Sequence, residues 1–193
     1  MKYAQRQNLI AAALIGALIL AMSMVGTAAR AADLAGVKVP DTLSAGDKVI
    51  KLNGLGLRKK AMFKVYVGAL YLVSPSKDAG AILAADRAKA IRMQFLRGLT
   101  KKQLVEAFKE GFEANAPDKA GQKAAFNKML ALVPDVKEGD TLTFTYVPGK
   151  GTTLQIGSKE LGVFAGKGFA DAVFSIWLGP KPPSDDLKKG MLG

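Results

Sequence analysis

Neither histidine nor cysteine occurs anywhere in the 193 residues. That double absence removes the Ser-His-Asp triad and the thiol nucleophile. It also leaves zinc, haem and iron–sulfur centres without their ordinary ligands, so no metal or cofactor is expected. Without cysteine there is no disulfide framework and no attachment point for a lipid anchor. Acids are scarce as well: 16 Asp and Glu stand against 28 Lys and Arg, a net charge of +12. The basic excess is scattered through Lys59-Lys60, Lys101-Lys102, Lys188-Lys189 and many single positions. Scatter of that kind describes a solvated face rather than a nucleic-acid stripe, and no nucleic acid is expected as a partner. Anionic ligands and the anionic surface of a membrane stay open.

The chain begins with Lys2 and Arg6, continues with an apolar run from Leu9 to Val25, and reaches the small residues around Ala29-Arg30-Ala31. A charged start, an apolar centre and an A-x-A site read as a secretory signal peptide over residues 1–31, cleaved near Ala31 or Ala32. The competing reading is an uncleaved membrane anchor, since the apolar run approaches spanning length. Export together with the lack of cysteine points to a bacterial periplasmic protein. Removing Lys2, Arg6 and Arg30 leaves 25 basic against 16 acidic residues, a net of +9 over 32–193. That length is enough for one domain with a real core.

Within 32–193, Val37 to Pro40 and Val49 to Leu52 read as short strands around a turn at Ser44-Ala45-Gly46-Asp47, followed by a glycine turn at Gly54 and Gly56. A long strand follows, Phe63 to Leu72. Phe63, Val65, Val67, Ala69 and Tyr71 fall on one face of it, and Lys64, Tyr66, Gly68, Leu70 and Leu72 on the other. Both faces are mostly apolar, which makes this a central strand. Ser74-Pro75-Ser76 breaks it. Asp78 to Ala85 reads as a short helix and Ala90 to Arg97 as a half-buried strand.

Thr100 and Gln103 form a capping box that opens a helix ending near Asn115, before Pro117. A second helix spans about Asp118 to Val133. Thr141 to Val147 and Thr152 to Ile156 make a hairpin about Pro148-Gly149-Lys150-Gly151, and Lys159 to Phe164 adds a further strand. The last long helix, Lys167 to Leu178, is apolar around most of its circumference and so is buried, ending at Gly179-Pro180. Strands, then helices, a hairpin and a helix describe an α+β domain, with helices layered on one face of a mainly antiparallel sheet.

One residue in this pattern suggests a site. Arg58 stands between the glycine turn and the long strand, a fixed cation at the mouth of an apolar layer. Gly54 and Gly56 are not a dinucleotide fingerprint, since Lys59 occupies the place of the third glycine and a strand follows. Trp177 and Tyr71 read as core aromatics.

The run Gly54-Leu55-Gly56-Leu57-Arg58, then Phe63-Lys64-Val65-Tyr66-Val67 and Leu70-Tyr71-Leu72, resembles the chalcone isomerase superfamily, in particular its bacterial and fatty-acid-binding members. The C-terminal run from Gly179 through Ser184 and Leu187 to Lys188 resembles that family's closing motif. The resemblance implies an open-faced β-sandwich with a ligand cleft between sheet and helices. It implies that Arg58 holds an anionic or phenolate oxygen and that Tyr66 joins it at a carboxylate. It places Ser175 and Ile176 against the ligand at the end of the last helix. The isomerases carry a tyrosine and an asparagine on the first long helix, and the corresponding stretch, Gln103 to Glu110, has neither.

The residues themselves agree with a binding role. A guanidinium is a rigid, always charged fork suited to a carboxylate, and a tyrosine hydroxyl beside it donates one more hydrogen bond. An acyl chain behind that head group gains about 0.8 kcal/mol per buried CH₂. Three functions therefore stand. The first is a periplasmic binding protein for a fatty acid or similar amphipathic carboxylate. The second is an intramolecular lyase of chalcone-isomerase type acting on a phenolic substrate, with Arg58 stabilising an oxyanion and Tyr66 or water supplying the proton. The third is an envelope module that binds a partner and has lost the cleft.

Overall fold

The computed structural model describes residues 32–193; the expected signal peptide lies outside the described residues. Two short strands, β1 (Ala32–Leu34) and β2 (Val37–Val39), pair with each other. Seven more follow in chain order across one sheet: β3 (Thr42–Ala45), β4 (Lys48–Lys60), β5 (Phe63–Leu72), β6 (Lys89–Phe95), β7 (Thr141–Val147), β8 (Gly151–Ile156) and β9 (Lys159–Phe164). Every neighbouring pair is antiparallel. The helices are α1 (Ala79–Ala84), α2 (Lys101–Asn115), α3 (Lys119–Leu132), α4 (Lys167–Leu178) and α5 (Asp185–Leu192). Residues 31–193 form one compact unit.

The pleat of β5 sorts its side chains into two cores. Tyr66, Leu70 and Leu72 join Met93, Phe144 and the buried faces of α2, α3 and α4 in the larger one. Val67, Ala69 and Tyr71 lie on the opposite face, in a smaller core with Val37 and Val39 of the β1–β2 hairpin. Here the Tyr71 hydroxyl donates to the Pro40 carbonyl at 2.9 Å. β5 is buried on both faces because a helical layer covers one side and a hairpin the other.

Local chemistry starts and stops the helices as the residue types direct. The Thr100 hydroxyl accepts from Gln103 N at 3.3 Å, and the Gln103 amide oxygen accepts from Thr100 N at 2.9 Å. This is the reciprocal cap the sequence pattern requires. Asp118 caps α3 through Gly121 N at 2.9 Å, so it precedes the helix rather than opening it. α4 buries Phe169, Val173, Phe174, Ile176 and Trp177.

Two expectations need correction. Ser44 and Ala45 belong to β3, so the turn before β4 shrinks to Gly46-Asp47. More consequentially, Gly54 and Gly56 are not a turn: they lie inside β4, a continuous 13-residue strand. Glycine within a strand marks a turn or the close approach of another backbone, and here it is the second. A Cβ on Gly56 would sit 2.1 Å from the Leu187 carbonyl oxygen, and one on Gly54 2.3 Å from that of Gly190. α5 therefore lies backbone-to-backbone on β4. Asn53 ties the other end down, its amide nitrogen donating to the carbonyls of Ser76 and Met191 at 3.0 Å each. Ser184 caps α5 through Leu187 N at 3.3 Å.

The β4–β5 connection is a two-residue loop, Ala61-Met62, with Lys60 opposite Phe63. Ala61 adopts φ +51°, a left-handed conformation that costs a Cβ-bearing residue about 1–2 kcal/mol. Ala61→Gly is expected to raise stability by about 0.5–1 kcal/mol, the relieved strain exceeding the entropy that glycine adds to the unfolded chain. A shift of the urea midpoint at unchanged m-value checks this.

Candidate functional site

Arg58 and Tyr66 are register partners on β4 and β5. They face the helical layer, beyond the end of the glycine trough: Leu187 of α5 sits over Gly56 and Gly68, two residues further along each strand. A register shift follows Arg58 in β4, and its Nη1 donates to the Lys59 carbonyl at 2.5 Å. Among the described residues, no carboxylate pairs with Arg58. Most of its five N–H donors are unspent.

Tyr66 is buried, with its ring edge-on to Phe95 at 5.9 Å between centroids. Its hydroxyl oxygen accepts from Trp177 Nε1 at 3.0 Å. Burial pushes the phenol up to about 12, against the opposing pull of the Trp177 hydrogen bond and the Arg58 charge. Tyr66 thus keeps its proton throughout the physiological range, and among the described residues no acceptor takes it. In strand register, a cation with open donors stands opposite a phenol with an open donor. Together they suit an anionic oxygen pair.

The structure brings Arg58 and Tyr66 together and places the other two expected residues elsewhere. Ser175 is buried, its hydroxyl donating to the Ala172 carbonyl at 2.8 Å, and it lines a cavity of about 230 Å³ with Leu83, Asn115 and Asp171. Ile176 packs on Gly111 of α2. It is Trp177 that reaches Tyr66, set within an aromatic cluster with Phe108 and Phe144 at 5.9 and 5.6 Å. Trp177 reads from sequence as a core residue, and it is one. Its indole N–H adds a hydrogen bond to the site that no spacing rule reveals.

A second cluster went unread in the sequence. Lys89 is buried in the larger core, on the same face of β6 as Ile91, Met93 and Phe95. Its ammonium donates to the carbonyls of Ile82, Ala85 and Leu83 at 2.9, 3.2 and 3.4 Å, closing the C-terminal turn of α1. The rings of Tyr146 and Phe174 lie 5.6 and 5.7 Å away. Desolvation pulls Lys89 down to about 8, with Lys167 adding to the drop and Asp171 and Asp86 opposing it. Tyr146 donates to Asp86 at 2.5 Å, and Lys167 pairs with Asp171 at 2.6 Å. Extending the alternation of Ile91, Met93 and Phe95 back by two positions would have found Lys89. Beginning the strand at Ala90 hid it. Lys89 also lines a cavity of about 330 Å³ with Leu72, Ser76 and Ile82, and neither Arg58 nor Tyr66 borders this cavity or the one at Ser175.

The sequence model of the chalcone isomerase-like family matches residues 31–193. The chain belongs to the chalcone isomerase-like family. Among solved structures it is similar to the Arabidopsis thaliana fatty-acid binding protein AtFAP1, with a TM-score of 0.70 at 19% identity over 84% of this chain and 96% of that one. A comparison with curated proteins finds no match. The family's open-faced sandwich is the seven-stranded antiparallel sheet and its layer of helices. On α2 of this family member, Leu104 and Phe108 face the core, so the stretch Gln103 to Glu110 turns apolar groups inward.

Proposed function

We propose that this chalcone isomerase-like protein is a periplasmic binder of a fatty acid or similar amphipathic carboxylate. Arg58 and the Tyr66 hydroxyl hold the head group, with the acyl chain in a cleft between sheet and helices. The observation that carries this reading is the pairing itself: a guanidinium free of any described carboxylate, in register with a buried phenol whose proton is unspent. The fold it shares with a fatty-acid binding protein supports the same choice. The apolar inner face of α2 favours retention over turnover, because a cyclisation needs polar groups around its oxyanion and its carbon acid. The apolar N-terminal run and the A-x-A site support export to the periplasm.

The test is native mass spectrometry with organic extraction of the protein and two variants purified from a bacterial host. A co-purifying carboxylate is expected with the unaltered protein. Arg58→Ala is expected to weaken binding about a hundredfold, the loss of a charge-assisted bidentate contact. Tyr66→Phe, which removes one hydroxyl, is expected to weaken it about fivefold to tenfold. Arg58 is half-buried and bonded to a single carbonyl, so the fold survives its removal. Binding indifferent to Arg58→Ala would sink the head-group assignment, and chalcone cyclisation by the unaltered protein, followed by absorbance, would replace retention by catalysis.

A further inference from the structure

The tip of the β4–β5 hairpin carries the most exposed large hydrophobic side chain of the described residues, Met62 at 86%, next to Phe63 at 55%. Four cations flank them in seven residues, Arg58, Lys59, Lys60 and Lys64, with no acid between. Arg97, beyond the end of β6, lies 4.8 Å over the Phe63 ring and adds a fifth. Among the described residues none of these five is in an ion pair. The neighbouring loop holds Asp135 and Asp140, and both carboxylates accept from backbone amides, at Lys101 and Lys137. Its remaining acid, Glu138, stands next to Lys137. Those three carboxylates keep their charge; the tip itself, residues 58–64 with Arg97 over Phe63, carries cations only around its two apolar side chains.

From this arrangement we infer that the β4–β5 hairpin tip docks the protein onto an anionic lipid bilayer, with Met62 and Phe63 entering the headgroup boundary and the surrounding lysines and Arg97 engaging lipid phosphates. An unbranched thioether and an aromatic ring are suited to that shallow depth, and lysine stems reach back to the headgroups. A two-residue turn is too narrow for a protein partner, since a specific interface buries about 800 Å² per side. A bilayer needs only the wedge and the charge. The left-handed Ala61 holds Met62 at the apex. Docking stands on the tip alone and not on the carboxylate reading. Arg58 and Tyr66 lie at the base of the same hairpin.

The experiment uses the chain from residue 32 to 193, which contains all but the first residue of the compact unit and of the family match. Co-sedimentation is measured with phosphatidylcholine vesicles made with and without phosphatidylglycerol. Binding is expected only with phosphatidylglycerol and is expected to fall as salt rises. Lys59→Gln with Lys60→Gln should weaken it about fivefold per lysine. Met62→Ser with Phe63→Ser should weaken it at least tenfold, and Met62→Ser alone, at a position 86% exposed, should weaken it with the thermal midpoint unchanged. Met62→Trp should show a blue-shifted emission on phosphatidylglycerol vesicles over the constant signal of buried Trp177. Equal binding to both vesicle types, phosphatidylglycerol binding indifferent to either pair of substitutions, or an unshifted Met62→Trp spectrum overturns the proposal. Fatty-acid content measured on the same variants keeps the two proposals separate, since tip substitutions leave Arg58 and Tyr66 in place.

Discussion

Gly56→Val is expected to lower the free energy of unfolding by about 4 kcal/mol and to release α5 from the sheet. The added Cβ would meet the Leu187 carbonyl oxygen at 2.1 Å and the Leu187 carbonyl carbon and Cα at 2.8 Å each. These are backbone atoms, so no rotamer change clears the clash and the helix must lift. Lifting exposes Leu187 and Met191, both fully buried, at about 1.5–3 kcal/mol each. Valine is otherwise the better strand former, so local propensity predicts the opposite sign and the result separates the two effects. Urea unfolding gives the magnitude, and limited proteolysis after Lys188 or Lys189 reports the detached helix. Gly98→Ala is the control: its Cβ would lie 3.4 Å from the Val136 oxygen, an ordinary contact. A valine variant that melts like the parent would show that α5 is not held by this contact.

Lys89→Ala is the second large effect, a loss of about 3 kcal/mol. It takes the donor from the Ile82 and Ala85 carbonyls, each costing about 1 kcal/mol or more when left buried and unpaired. It also opens a void between the Tyr146 and Phe174 rings. The Leu83 carbonyl keeps Lys167 as a donor at 3.1 Å, which limits the damage to the last turn of α1. The pH dependence gives an independent signature. The folded amine titrates near 8, while the unfolded one keeps the ordinary lysine value of 10.5. Above about 8 the unfolded chain therefore binds more protons than the folded one, and stability rises with pH.

The tyrosines then act in the opposite direction. Tyr66 and Tyr71 are raised to about 12, and Tyr146 is raised further by its burial and Asp86. Above about 10 the unfolded phenols ionise first and stability declines. The unaltered protein is expected to gain on the order of 1–2 kcal/mol between about pH 8 and pH 10. Lys89→Ala should lose that gain while keeping the alkaline decline. Thermal melts across this range in both proteins read the difference directly, and a parent curve flat through pH 8 to 10 would place the Lys89 titration elsewhere.

The sequence determined by itself whatever depends on neighbours along the chain. Alternation assigned β5 with its two faces and the β7–β8 hairpin, because a pleat repeats every two residues whatever surrounds it. Thr100 and Gln103 announced α2 because a cap is satisfied within four residues. The motif around Arg58 and Tyr66 singled them out as candidates. The absence of histidine and cysteine had already set aside most catalytic chemistry.

Contacts between distant segments were decided only by the tertiary structure. The same two glycines that suggest a turn become the floor under α5, because what matters is a helix backbone more than 130 positions later. Lys89 looks like a strand-end charge until three carbonyls of α1 and two rings close around it. The open proton of Tyr66 depends on Trp177, 111 residues away. The tip became a coherent surface only when folding set Arg97 over Phe63. Periodicity records which way a side chain points. Only the packed chain shows what it meets there, and that meeting sets burial, pKa and the donors left open for a ligand.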